Sequence, residues 1–140
     1  MALTNQLTGM RGVYLVAAEL SKLGFIASPT SRSATGADIL VTDQACQRTY
    51  SVQVKTNARV FTFWLLNKKA KEQVSENHIY VFVNIRTRKS GETIDFYVVP
   101  SKVVAEKVVY STSPRSEWYG FNLVDAAPYK DKWSMFGVSV

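Results

Sequence analysis

Two short runs with a period of two constrain this chain more than anything else in it. Residues 36–57 read Gly-Ala-Asp-Ile-Leu-Val-Thr-Asp, a short polar stretch, and then Arg-Thr-Tyr-Ser-Val-Gln-Val-Lys-Thr-Asn. Ala37, Ile39 and Val41 alternate with Asp38, Leu40 and Thr42, and Tyr50, Val52 and Val54 alternate with Ser51, Gln53 and Lys55. Such alternation marks strands with two different faces. Residues 44–46 read as the connection, giving an antiparallel hairpin centred between Ala45 and Cys46. In that register Asp38 stands opposite Gln53, and Gly36 opposite Lys55. Opposed residues share a face with Cβ atoms about 5 Å apart, and residues two apart in a strand share a face as well. A carboxylate, an amide and an ammonium are therefore expected on one side of a small sheet; a one-residue slip would separate them. Taken singly, the Asp and the Gln-x-Lys are what any half-solvated sheet carries.

The order of elements adds meaning. Met10, Val13, Val16, Ala17, Leu20 and Leu23 form an apolar stripe spaced by threes and fours, which predicts a helix over residues 8–23. Thr8 is its expected cap and Gly24 its stop, with residues 1–6 as a frayed start. Residues 25–28 read as a first strand ended by Pro29, followed by a polar loop over residues 30–35 that contains Arg32. In the order helix, Asp strand, Gln-x-Lys strand, the chain resembles the PD-(D/E)XK nuclease-like superfamily. The matching residues are Ala37-Asp38-Ile39-Leu40-Val41 and Gln53-Val54-Lys55-Thr56, behind the helix that runs from Gly12 to Gly24. The resemblance covers roughly the first hundred residues, and order and spacing carry it rather than any single motif.

That resemblance implies an α/β fold of the restriction-endonuclease-like, three-layer-type sandwich, with a mixed central sheet flanked by helices. It implies a Mg²⁺-dependent endonuclease that hydrolyses DNA phosphodiester bonds, with Asp38, Gln53 and Lys55 as the catalytic set. Asp38, the Gln53 amide oxygen and the Val54 carbonyl would hold the metal, and Lys55 would orient water or face charge on the phosphate. Most relatives carry Glu where this chain has Gln53. A helix Glu that often completes the family's metal site aligns with Val13. Glu19, six residues on, lies about 120° around the helix and about 9 Å along it, at the edge of the apolar face. One sure anionic ligand remains, which implies a weak Mg²⁺ site, or a nuclease-fold module that binds nucleic acid or protein without cutting. DNA is the expected partner, and a homodimer is one open arrangement.

The remaining sequence reads more plainly. Residues 58–66 are apolar and aromatic and fit helix or strand equally. Residues 68–77 favour a helix, and this helix would be the crossover from Lys55 to His78. Its start, Lys68, Lys69 and Lys71, is the densest basic cluster; with Arg32 it is a candidate DNA-binding edge, although a solvated helix face looks the same. Residues 78–85 and 93–99 form a second hairpin with its turn over residues 87–92, and His78 reads as structural. Ser101 is placed to cap a helix through Val109, residues 111–115 read as loop, and residues 118–124 as a strand. Asp125 is placed to cap a last helix whose Tyr129, Trp133 and Phe136 pack on the core. At 140 residues the chain is expected to be one domain, residues 1–140. A lone cysteine, Cys46, excludes an internal disulfide and a Cys cage, and suits a reducing cytoplasm. One histidine excludes a multi-histidine metal site. No apolar run is long enough for a membrane span, and a formal charge of +6 permits nucleic-acid binding without requiring it.

Overall fold

Apolar residues on alternate positions of a β-strand need cover on one face, an unbroken apolar strand such as residues 78–85 needs it on both, and this chain supplies a different cover for each side. The computed structural model describes residues 2–31, 36–59 and 61–137. Helix α1 (Ala2–Lys22) is followed by β1 (Ile26–Pro29), β2 (Ile39–Thr42) and β3 (Thr49–Asn57). Then come β4 (Phe63–Leu66), β5 (His78–Arg88), β6 (Gly91–Pro100), α2 (Ser101–Lys107), β7 (Val109–Ser113), β8 (Ser116–Asn122) and α3 (Leu123–Ala126). The main sheet has the order β1-β2-β3-β5-β6 and is mixed: β3 and β5 run parallel, and the other pairs are antiparallel. A smaller antiparallel sheet has the order β4-β8-β7.

The first layer is α1. Its Val13, Val16 and Leu20 are buried against Ile39, Val41, Val52, Val54, Val81 and Val83, and Trp133 and Phe136 close the same core. Each large aliphatic side chain so buried contributes about 1.5–3 kcal/mol. Helix and sheet touch so closely that a Cβ on Gly12 would lie 1.8 Å from Thr56 Oγ1. Gly24, at φ 93°, ends the helix, and the Phe25 N–H bonds the Leu20 carbonyl across the turn. The helix starts six residues before the predicted boundary, so residues 2–6 are helical and Thr8 lies inside it rather than capping it. Residues 4–7 are exposed, so no apolar stripe announced that turn.

The opposite layer is the small sheet with α2 and α3. Trp64, Ala70, Phe121, Val104 and Ala126 pack on Tyr80, Phe82, Tyr97 and Val99. Phe82 and Phe121 stack at 4.9 Å, and the Trp64 Nε1–H donates to the Val83 carbonyl at 3.0 Å. The mixed sheet between these two layers is the expected α/β sandwich, with several local corrections. The crossover from β3 to β5 is strand β4 and one 3₁₀ turn, Lys68–Lys71, rather than a helix over residues 68–77. Residues 111–115 belong to the β7–β8 hairpin. Pro29 pairs with Ile39 inside β1 instead of ending before it. Ser101 caps nothing; its buried hydroxyl donates to the Ser75 carbonyl at 2.8 Å and accepts the Ser75 N–H at 3.0 Å. Asp125 lies within α3, with Asn122 at the cap position.

Candidate active site

The second layer covers β5 and β6 but stops short of β2 and β3, and the site lies at that step. Strand β2 pairs with β3 from Ile39↔Val52 through Thr42↔Thr49, and Asp38 stands just before the first of these pairs. The Asp38 N–H donates to the Val52 carbonyl at 2.8 Å, and the Asp38 carbonyl accepts the Thr30 N–H at 2.9 Å. Just before it, Gly36 turns the chain at φ 93°, a left-handed value that favours glycine. Past that point β3 has no β2 backbone beside it. The Val54 N–H, which alternation points to the same edge as the Val52 carbonyl, donates to Asp38 Oδ2 at 2.8 Å. Gln53 Nε2 donates to the same oxygen at 3.0 Å. One backbone and one side-chain donor thus fix the carboxylate at the end of β2.

Lys55, two residues on, shares the Gln53 face. Its pKa is lowered by burial, and the nearby Asp38 charge opposes that shift. A desolvated ammonium beside a half-buried carboxylate is an arrangement found at functional sites. A concavity of about 190 Å³ opens here, lined by Gln53, Lys55, Asn67, Lys69, Gln73 and Tyr80 among others. Asn67 Oδ1 accepts the Lys69 N–H at 2.9 Å, so the 3₁₀ turn that carries Lys69 is capped at the rim. Burial raises the Tyr80 pKa, which keeps the phenol protonated.

The structure brings Asp38, Gln53, Val54 and Lys55 together, with Lys69 at the rim. It takes Lys71 elsewhere: its Nζ sits 4.9 Å from the Tyr110 ring centroid, on the small sheet. Lys68 is exposed and lines neither concavity beside Lys55, and Arg32 lies outside the described residues. Val13 is buried in the α1 core, and Glu19 lines neither concavity. Among the described residues no group of three His, Cys, Asp or Glu side chains could hold a metal. Asn67, Gln73 and Tyr80 escaped the sequence reading because a crossover and a central strand deliver them, with no motif to mark them. His78 is buried; its Nδ1 lies 2.6 Å from Ser51 Oγ, and burial lowers its pKa.

No family model and no curated protein matches the chain. Solved structures do match. A Holliday junction resolvase, Hjc, from the archaeal hyperthermophile Archaeoglobus fulgidus superposes with a TM-score of 0.52 at 14% identity, over 84% of this chain and 89% of that one. The bacterial homing endonuclease I-Ssp6803I superposes with a TM-score of 0.53 at 14% identity, over 93% of this chain and 88% of that one. No helix among the described residues is long and apolar enough to cross a membrane. With its five-stranded mixed sheet between two layers, the chain has the restriction-endonuclease-like fold, and the likeness to these two structures is one of fold.

Proposed function

We propose that the protein is a divalent-metal-dependent DNA endonuclease whose reaction centre is the Asp38–Gln53–Lys55 cluster. One observation carries the reading: the Asp38 carboxylate, fixed by the Val54 N–H and the Gln53 amide, stands beside desolvated Lys55 in a nuclease fold. The donor chemistry fits Mg²⁺, which takes hard oxygens and is commonly held by one or two carboxylates with several waters retained. Asp38, the Gln53 amide oxygen and the Val54 carbonyl would hold it. When bound, the metal supplies charge neutralisation at the phosphate and acidifies water.

The protein's own residues do the rest. Asp38 provides the single negative charge, and both side-chain hydrogen bonds it accepts from the described residues go to one oxygen, Oδ2. Lys55 faces the phosphate, orients the attacking water and opposes the charge that builds on the nonbridging oxygens. Its depressed pKa brings proton exchange within easier reach than at an exposed lysine. Lys69, at the rim, contacts a flanking phosphate.

The test is cleavage of linear, branched and single-stranded DNA with Mg²⁺ or Mn²⁺ by wild type, Asp38→Asn and Lys55→Ala. Wild type is expected to cut at least one substrate, Asp38→Asn none, and Lys55→Ala slowly. A wild type that cuts nothing and shows the same DNA affinity with and without metal would overturn the reading in favour of a non-cutting binding module.

A further inference from the structure

Lys55 borders a second, larger groove on its other side. Its volume is about 740 Å³, within the range of about 300–1,000 Å³ typical of small-ligand sites. Consecutive β4 residues line the two concavities, Leu66 the first and Leu65 the second. The groove draws Asn5 and Thr8 from α1, Asn57 and Arg59 from the end of β3, and Phe61 and Phe63 from the approach to β4. Among the described residues that line it are two cations, Lys55 and Arg59, and no carboxylate. That balance suits a polyanion, in contrast with an ordinary apolar cleft.

The aromatic content selects which part of a polyanion fits. Phe61 is 44% exposed, so part of its ring is open to the groove that it lines. Its ring leans on Phe63 at 6.4 Å between centroids, and Phe63 in turn meets Trp118 edge-on at 5.1 Å. The Asn57 Nδ2–H donates to the Phe63 carbonyl at 2.8 Å, which ties the end of β3 to the start of β4. Phe61 is thus an open ring backed by an anchored one, beside a cation shared with the reaction centre. Base stacking on aromatic side chains within a basic groove is how proteins hold single strands without reading sequence. A base inside a duplex has both faces covered by its neighbours and cannot stack on such a ring.

We propose that this groove seats an unpaired nucleotide of the strand crossing Lys55, stacked on Phe61, so that the substrate class is DNA with a single-stranded or splayed segment beside the cut. The proposal rests on the endonuclease reading for its placement, but its readout is binding rather than cleavage. Dissociation constants are measured in EDTA for a blunt duplex and a splayed fork of the same sequence, with wild type, Phe61→Ala and Phe61→Tyr. A 2-aminopurine at the first unpaired position reports stacking.

Wild type is expected to bind the fork roughly 5- to 100-fold more tightly than the duplex, the range that one base–aromatic stack supplies. Phe61→Ala should lose that advantage and leave 2-aminopurine bright, and Phe61→Tyr should keep both. Equal affinity for fork and duplex, an advantage that survives Phe61→Ala, or no DNA binding at all would overturn the proposal. Cleavage of fork and duplex alike would leave the endonuclease reading standing and remove this one. Fork binding through Phe61 with no cleavage under any metal would do the reverse.

Discussion

Asp38 carries a structural and a chemical role that two substitutions separate. Its Oδ2 accepts the Val54 N–H at 2.8 Å and Gln53 Nε2 at 3.0 Å. Asp38→Ala removes the oxygen that accepts both bonds and leaves the Val54 N–H unpaired past the end of β2. Each bond to a charged acceptor is worth about 1.5–3 kcal/mol and an orphaned buried donor costs about 1–3 kcal/mol. The site is half-buried, so water recovers part of the loss, and the expected cost is about 2–3 kcal/mol, a Tm decrease of roughly 6–12 °C. Asp38→Asn keeps an oxygen for the same two donors and loses only the charge assistance, about 1 kcal/mol. Urea and thermal unfolding read these costs, and a cleavage assay reads the chemistry. Asp38→Asn should be nearly as stable as wild type yet inactive, and Asp38→Ala both less stable and inactive. Equal stability of Asp38→Ala and wild type would refute the anchoring argument, and an active Asp38→Asn would refute the need for the charge.

Other expectations follow from the same geometry. Gln53→Glu sets a second carboxylate about 3 Å from Asp38, in place of a hydrogen bond; the metal-free protein should lose stability while calorimetry shows tighter Mg²⁺ binding, and an unchanged affinity would remove Gln53 from the metal set. Lys69→Ala should flatten the slope of log affinity for DNA against log salt by about 0.9, the value of one phosphate contact, whereas Lys71→Ala, already seated on Tyr110, should flatten it less. Equal effects would return both to an ordinary solvated face. Gly12→Ala drives a Cβ into Thr56, whose Cβ and Cγ2 at 2.9 and 3.1 Å prevent escape by side-chain rotation, so a loss of about 1–3 kcal/mol is expected by urea unfolding. Lys55 has a folded pKa below its unfolded value of about 10.4. Between those two values the unfolded chain binds more protons, so Lys55 adds stability as pH rises through that window. Lys55→Met should remove that rise in alkaline unfolding curves, and NMR titration of Lys55 Nζ should show a further fall in Asp38→Asn, where burial acts unopposed.

The part of the site built from neighbouring sequence was legible. Hairpin arithmetic anticipated the β2–β3 register, in which Ile39 meets Val52 and Leu40 meets Ser51, because a period of two and a buried face leave little freedom of register. The α1 stripe announced Val13, Val16 and Leu20 as core, and residues 78–85 were legible as a strand of the second hairpin. What depends on distant partners was not legible. Phe63-Trp64-Leu65-Leu66 is a strand because Trp64 finds Phe121 across the small sheet, a choice its own composition leaves open. Strand β7 is exposed along its length, so no alternation marked it. Residues 68–77 look helical by composition, yet Ala70 is the only one of them before the β5 start that is buried, and the Ser75–Ser101 hydrogen bonds hold their end as loop. Lys71 was grouped with Lys69 by proximity in sequence, whereas the tight 3₁₀ turn directs one to the site and the other to Tyr110.

The central claim is that the edge of β3 beside Lys55 is a divalent-cation site. Anomalous diffraction from crystals soaked in Mn²⁺ tests it most directly. A single peak is expected, bonded to an Asp38 carboxylate oxygen, with the Gln53 amide oxygen and Val54 carbonyl among its neighbours and metal–oxygen distances of about 2.1 Å, and no peak there in Asp38→Asn. A soaked crystal with no peak at Asp38, or with its ion held by Glu19 instead, would contradict it.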